Sequence, residues 1–322
     1  MQESSRGLNS ENVLRFGRAC TRRGLSPAEG AALHLHELAN DTGLSIAEAD
    51  ALQLPNAQWR VGLSARPTHG EIHVWRLRFS STELAKLGWH VMTVEERARA
   101  ESFRFARDRE RFCQSRLLLR RMLGEYLERN PRKVPIIVGQ HGKPQLDETI
   151  SPRGLQFNLT HSHSVALLAV TVGQTVGIDV EDIASFSNPD VSTLAEGVLS
   201  KREVEAIMAL ERESRIRSFL RCWTRKEALL KAVGVGLLAK LDEFKVPMDD
   251  LERWSVQWRP DRRSDASTFQ MADLSDDDYS AAVAAPMISG PVHLFDLHHL
   301  GLTDISVGEP QMRRSASEFV PL

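Results

Sequence analysis

Apolar residues with two different spacings divide the chain into predicted helices and strands. In the segments 93–129 and 191–233 they recur three and four positions apart, as in helices with one buried face. Shorter apolar runs, bounded by turn residues, predict strands. These strands are expected at 71–79, 155–160, 164–172, 176–183, 255–259, 268–274, 279–285 and 292–297.

The order of these elements predicts an α+β fold with two similar lobes. Strand, helices and strands follow one another in 71–177, and the same order begins again in 178–322, which ends in a loose tail. Residues 1–70 do not follow this order of strands and helices. They contain two predicted helix N-termini with capping boxes, SPAE and SIAE. We therefore expect a small helical extension of unknown role before the two lobes.

Composition and charge exclude several classes of protein. The chain has 322 residues, 42% of them hydrophobic, and 41 Lys and Arg residues against 43 Asp and Glu, a net charge of −2. This balance gives no field that would attract nucleic acid or an anionic membrane. The N-terminus has no apolar signal-peptide core, and three widely spaced cysteines fit a reducing compartment. We therefore expect a cytoplasmic protein without a membrane or nucleic-acid partner.

Three carboxylates and a lysine are the strongest candidates for chemistry. Asp179 and Glu181 point to one face of a strand, because successive side chains alternate between its faces. Such a pair either lies in water or is held by a cation, and Mg²⁺ prefers oxygen ligands. Glu227 on the second predicted helix can supply a third carboxylate, with Lys231 one turn further on. The alternative is a solvated strand end and an exposed Glu227–Lys231 pair at i,i+4 spacing.

Two loops and an arginine-rich helix offer groups that bind phosphate. Lys143-Pro144 forms a rigid turn, and Thr160 and His161 end a strand with hydrogen-bond donors. Each of these features is also common in ordinary loops. Residues 95–121 hold nine arginines, and we expect most of them on the solvent-exposed face of a helix. One or two of them could bind a phosphate through two hydrogen bonds.

The chain resembles the larger, pseudo-dimeric 4′-phosphopantetheinyl transferases, the type that activates surfactin synthetase. The resemblance covers roughly residues 71–250 and depends on four motifs that occur in that family's order. The motifs are HGKP (141–144), FNLTHSHS (157–164), VGIDVE (176–181) and WTRKEALLKAVGVGL (223–237).

The resemblance implies a role for each matched residue. The Mg²⁺ ligands would be Asp179, Glu181 and Glu227. Contacts with coenzyme A would come from Lys143, Pro144, Thr160, His161 and, near the reacting phosphates, Lys231. The coenzyme's 3′-phosphate would bind Arg111 and Arg99, with Arg97 as a substitute for either. Two departures are Thr160, where the family often has serine, and His163, where a small residue is common.

The implied reaction transfers 4′-phosphopantetheine from coenzyme A to a serine of an acyl or peptidyl carrier protein, with Mg²⁺ as cofactor. Lys231 would be catalytic, and Glu227 would serve as general base, metal ligand or both. The protein is expected to be a monomer. Two alternatives are a non-catalytic protein that binds coenzyme A or a carrier domain, and another Mg²⁺-dependent phosphate-transfer enzyme.

Overall fold

The structure, a computed structural model, describes residues 66–79, 82–139, 142–147, 149, 154–186, 191–235, 241–248, 253–259 and 265–297. The helical extension expected in residues 1–70 and the expected tail lie almost entirely outside the described residues. The helices are α1 (Thr82–Val91), α2 (Val94–Glu101), α3 (Ala106–Leu127), α4 (Val191–Val198), α5 (Lys201–Met208) and α6 (Arg212–Val233). The strands are β1 (Ile72–Arg78), β2 (Ile136–Val138), β3 (Pro144–Leu146), β4 (Leu155–His161), β5 (Val165–Val172), β6 (Gly177–Asp182), β7 (Arg253–Trp258), β8 (Ser267–Asp273), β9 (Tyr279–Ala285) and β10 (Val292–Asp296).

The first sheet has the strand order β10-β1-β5-β4. β1 runs antiparallel to β5 and parallel to β10, and β4 pairs antiparallel with β5. Trp75 on β1 and Leu168 on β5 share a buried cluster with Leu117, Leu119 and other side chains of α3. One face of this sheet is therefore covered by the helices of the first half, as the 3.6-residue apolar periodicity predicts.

The second sheet is antiparallel, in the order β6-β9-β8-β7. Its core cluster joins Cys222 and Leu229 of α6 to Trp254, Met271 and Ala282 of the sheet. The side chains at alternate positions of the same strands point away from α6. They form part of a third cluster, described next.

The two sheets pack against each other through the faces that the helices leave free. Val74 and Leu167 of the first sheet meet Ile178 and Val283 of the second in one buried cluster. β1, β5, β6 and β9 are thus buried on both faces. This explains the nearly continuous apolar runs of β5 and β9, whereas β1 and β6 also bury charged side chains, among them Arg76 and Asp179.

The structure contains the predicted helices and strands and adds α1, β2 and β3, which the sequence analysis does not predict. Two further differences concern the Arg-rich helix and the last strand. The Arg-rich helix is interrupted between α2 and α3: Ser102 caps α2, and its hydroxyl donates to the carbonyl of Arg99 at 2.7 Å. The last strand, β10, lies in the first sheet although it follows the second half of the chain. The division at residues 177 and 178 stays a prediction. Across the described residues no helix has the length and apolar content that crossing a membrane requires.

Candidate active site

The site lies where β6 packs against α6, and Gly177 permits this close approach. A Cβ at residue 177 would lie 2.1 Å from the carbonyl oxygen of Ala228 and 2.2 Å from the amide nitrogen of Ala232. Both distances are far shorter than a real Cβ contact, so only glycine fits. The approach brings the carboxylates of β6 next to Glu227 and Lys231 on the facing side of α6.

Asp179 is a buried carboxylate with one oxygen bound and one oxygen free. Its Oδ1 accepts from Lys231 Nζ at 2.5 Å and from Thr160 Oγ1 at 3.2 Å. Its Oδ2 is buried and receives no hydrogen bond in the structure. Burial raises the pKa of Asp179, and Lys231 opposes that rise. A buried oxygen that accepts no hydrogen bond is unfavourable unless a ligand contacts it, and a bound cation can make that contact directly.

Glu181 and Glu227 add two further carboxylates. Burial and then the charge of Asp179 raise the pKa of Glu181 to about 7, while hydrogen bonds from Ser162 and Trp223 act against the rise. Ser162 Oγ lies 3.1 Å from Glu181 Oε2. The same two causes, in the same order, raise the pKa of Glu227. The charge of Asp179 thus raises the pKa of both glutamates, and three carboxylates gathered in this way form a ligand set suited to a hard divalent cation such as Mg²⁺.

Lys231 lies inside this group rather than on an exposed face of α6. Besides Asp179, its ammonium approaches Thr160 Oγ1 and the carbonyl oxygen of Ile178, each at 3.3 Å. An exposed pair between Lys231 and Glu227, the alternative left open by the sequence, does not account for this position. The charge of Lys231 offsets part of the repulsion among the carboxylates.

The neighbouring Lys226 serves the fold instead. It is fully buried, lies 2.9 Å from Glu203 Oε2, and donates to the carbonyls of Leu241 and Phe244 at 2.7 and 2.5 Å. Its ammonium also lies over the Phe244 ring. One helix therefore contributes one lysine to the core and another to the site.

Lys143 holds the backbone that carries the site. Its ammonium donates to the carbonyl oxygens of Val176 at 3.0 Å and Lys231 at 2.6 Å, and so joins the start of β6 to the end of α6. Burial, and next the charge of Lys231, lower the pKa of Lys143 to about 8. Pro144 follows as the first residue of β3. Contact of Lys143 or Pro144 with coenzyme A stays a prediction.

Arg111 lines a cavity formed by the first half of the chain. Its Nη2 lies 3.1 Å from His163 Nδ1, and Nη1 lies 3.6 Å from Asp108 Oδ1. The cavity has a volume of about 580 Å³. Its lining consists of Phe79, Thr82, Glu83, Arg107, Glu110, Arg111, Gln114, His163 and Ser164. His163, which the sequence marked only as a bulky departure, is thus a partner of Arg111.

The other basic candidates have different positions. Arg99 lies over the Phe103 ring at 5.2 Å and is half-buried. Arg97 is buried, donates to the carbonyl of Trp89 at 3.0 Å and lies over its ring. Its use in place of Arg99 or Arg111 stays a prediction. His161 ends β4 beside Phe79. Desolvation, followed by the charges of Lys231, Arg116 and Arg111, lowers the pKa of His161 to about 4.

Comparison with known sequence families identifies the family to which the chain belongs. Residues 175–284 match the 4′-phosphopantetheinyl transferase superfamily, and residues 80–173 match the 4′-phosphopantetheinyl transferase N-terminal family. Together the two matches cover most of the described residues. The chain belongs to the 4′-phosphopantetheinyl transferases.

Individual relatives agree with this assignment. The 4′-phosphopantetheinyl transferase HetI of Nostoc sp. is 36% identical over 217 residues, 67% of this chain and 87% of its own length. A Synechocystis sp. chain provisionally given the same activity is 30% identical over 60% of this chain and 79% of its own. The L-aminoadipate-semialdehyde dehydrogenase-phosphopantetheinyl transferase of Mus musculus is 32% identical over 49% of this chain and 53% of its own.

In the transferase, five of the ten predicted site residues lie together. Asp179, Glu181, Glu227, Lys231 and Thr160 share one group of contacts and electrostatic couplings. Their individual roles remain predictions. Sequence reasoning missed the contact of Ser162 with Glu181, because it joins the residue after β4 of the first sheet to β6 of the second.

Proposed function

We propose that this transferase moves 4′-phosphopantetheine from coenzyme A to a serine of an acyl or peptidyl carrier protein. Mg²⁺ would be the cofactor, and adenosine 3′,5′-bisphosphate would be released. The observation that carries the proposal is the free, buried Oδ2 of Asp179, set among Glu181, Glu227 and Lys231. Mg²⁺ would be held by the three carboxylates and, when bound, would stabilise negative charge on the pyrophosphate oxygens.

The residues of the chain support each step of this reaction. The serine hydroxyl attacks the β-phosphorus, a new P–O bond forms, and the P–O bond to the departing adenosine bisphosphate breaks. Lys231 supplies positive charge beside the reacting phosphates, where charge develops. Glu227 accepts the serine proton, binds the metal, or does both; its raised pKa makes it a stronger base than an exposed glutamate.

The cavity lined by Arg111 supports a place for the 3′-phosphate. A guanidinium binds phosphate oxygens through two parallel hydrogen bonds, and Arg99 lies on the preceding helix, α2. Thr160 contacts Asp179 near the end of β4, and His163 and Ser164 of the cavity follow shortly after it, so the end of β4 connects the two regions. Lys143 would contact the coenzyme from beside the C-terminal end of α6.

The finer architecture belongs to the same proposal. We propose that each sheet forms one lobe with its own helices and that the two lobes have similar folds. This is the pseudo-dimeric arrangement of the surfactin-synthetase-activating type. All proposed ligands come from β6 and α6 of one chain, and the residues around them from β4 of the same chain. One chain can therefore form a complete site, which supports a monomer.

Intact-mass measurement of an apo carrier protein tests the proposal. With the full chain, coenzyme A and Mg²⁺, we expect the carrier to gain one phosphopantetheinyl group. The gain should vanish when Mg²⁺ is chelated and in Asp179→Asn, which keeps the side-chain shape and removes the charge. A stable complex without a mass gain would indicate a binding protein, and hydrolysis of coenzyme A without transfer would indicate another Mg²⁺ enzyme.

A further inference from the structure

A second group of metal-binding side chains lies on the first sheet, away from the carboxylates of β6. Glu71, His73 and His293 each place one ligand atom within 4.8 Å of the other two. His73 and His293 are direct neighbours in the parallel pairing of β1 with β10. Glu71 precedes His73 by two residues and so points to the same face of the sheet.

The geometry of the two histidines suits ligation of a single ion. Their rings meet edge to face, with centroids 5.3 Å apart and an interplanar angle of 87°. One nitrogen of each ring lies within 4.8 Å of the other and of a carboxylate oxygen of Glu71. Burial and then the proximity of His293 lower the pKa of His73 to about 4, so the ring is neutral, as a metal ligand must be.

Glu71 is held as an ionised ligand. Its Oε2 accepts from the backbone N–H of Thr68 at 2.8 Å, and that hydrogen bond lowers the pKa of Glu71. A Cβ at Gly290 would lie 2.7 Å from Glu71 Cγ, so the glutamate can occupy its place only because residue 290 has no side chain.

Tyr126 of α3 fixes the orientation of His73. Its hydroxyl lies 2.8 Å from His73 Nδ1 and accepts from Trp75 Nε1 at 2.8 Å. A second residue that fixes the ring of a histidine ligand is typical of metal sites in proteins.

We propose that Glu71, His73 and His293 bind one Zn²⁺-class ion that joins β10 to β1. Two imidazole nitrogens and one carboxylate oxygen are ligands that Zn²⁺ prefers, and a water would complete a tetrahedron. Glu71 and His293 are half-buried, so solvent can reach the ion. The ion would fasten two strands separated by more than 200 residues along the chain.

Equilibrium dialysis of the full chain against Zn²⁺ tests the site, with excess Mg²⁺ present to occupy the carboxylates of β6. We expect one Zn²⁺ per chain and a melting temperature that rises with Zn²⁺. His293→Ala should weaken binding by more than about 100-fold, because loss of a ligand exceeds the roughly 10- to 100-fold effect of a supporting residue. Tyr126→Phe should fall within that smaller range.

His90→Ala provides the matched control, since His90 is exposed on α1 outside the cluster and its loss should leave Zn²⁺ binding unchanged. Circular dichroism of each metal-free variant establishes that it is folded. Glu71→Gln, which keeps the shape of the side chain, should also weaken binding. The proposal is overturned if His293→Ala and Glu71→Gln bind Zn²⁺ like the parent. It is equally overturned if Asp179→Asn alone abolishes binding, or if no Zn²⁺ is retained.

Discussion

At the scale of single residues, the carboxylates of the site are held in a state that favours protonation. The pKa of Glu181 is raised to about 7 from an ordinary value of 4.5. In the absence of a metal the folded chain therefore keeps this proton at pH values where the unfolded chain has lost it. The free energy of unfolding should fall as pH rises from 4.5 to about 7, because the folded state binds more protons than the unfolded state.

If the carboxylates hold Mg²⁺ as proposed, the metal should reverse this dependence, since a cation binds the ionised carboxylates. We expect Mg²⁺ to raise the melting temperature more above pH 7 than below it, and transfer to slow as the pH falls below about 7. Thermal melts with and without Mg²⁺ on both sides of that pH measure the effect. In Glu181→Gln the pH dependence of the melting temperature should shrink; if it is unchanged, another group titrates.

Arg111 supports a separate prediction about coenzyme A. Arg111→Ala should raise KM for coenzyme A far more than it lowers kcat, because the 3′-phosphate is remote from the breaking bond. A charge-assisted hydrogen bond contributes about 1.5–3 kcal/mol, which corresponds to a loss of roughly 10- to 100-fold in affinity. Steady-state kinetics measure both constants.

Dephospho-coenzyme A, which lacks the 3′-phosphate, is the control substrate for Arg111→Ala. The substitution should matter little with it, since the partner group is already absent. Equal weakening of both substrates would assign Arg111 to the fold or to another part of the coenzyme.

At the scale of secondary-structure elements, the contact between β6 and α6 determines whether the site exists. Gly177→Ala places a methyl group against the backbone of α6, at 2.1 Å from the carbonyl oxygen of Ala228. We expect the strand and helix to separate, transfer to be lost, and the melting temperature to fall. Far-UV circular dichroism and the transfer assay measure these effects.

Gly197→Ala is the matched substitution in α4. A Cβ there meets no atom within 4 Å, so alanine should stabilise the helix by about 0.5–1 kcal/mol and leave transfer intact. Equal losses in both variants would mean that the close approach at Gly177 is not the cause.

The pattern of α6 shows how far sequence alone predicts this element. A rotation of 100° per residue places Cys222, Leu229 and Ala232 on the core face, and the structure confirms it. The same rule cannot predict that Lys226 is buried, because its partner Glu203 comes from another helix. Strand alternation likewise predicts that Asp179 and Glu181 share a face, but the contact of Asp179 with Lys231 depends on how distant segments pack.

At the scale of the whole molecule, Arg76 joins the two sheets. From β1 its guanidinium donates to Asp296 Oδ2 at 2.8 and 2.9 Å, and it lies 3.5 Å from Tyr279 Oη of β9. Arg76→Ala would leave Asp296 buried without this partner. We expect the free energy of unfolding to fall by about 3–5 kcal/mol, measured by urea denaturation.

Arg78→Ala, two residues further along β1, is the comparison. Arg78 contacts Asp276 and Asp278 at a partly exposed position. Its loss should therefore lower the free energy of unfolding by about 1 kcal/mol or less. If Arg76→Ala and Arg78→Ala lower the free energy of unfolding equally, then burial does not determine how much the Arg76 contacts contribute to stability.

The return of β10 to the first sheet has a consequence for the order in which the protein is made. The ribosome releases β1 long before β10, and more than 200 residues separate the paired strands. Until residues 292–296 emerge, the nascent first half presents one edge of β1, with free backbone groups able to pair with another chain. If the first half is expressed without the second, β10 never pairs with this edge of β1. We therefore expect the first half alone to aggregate under conditions in which the full chain does not.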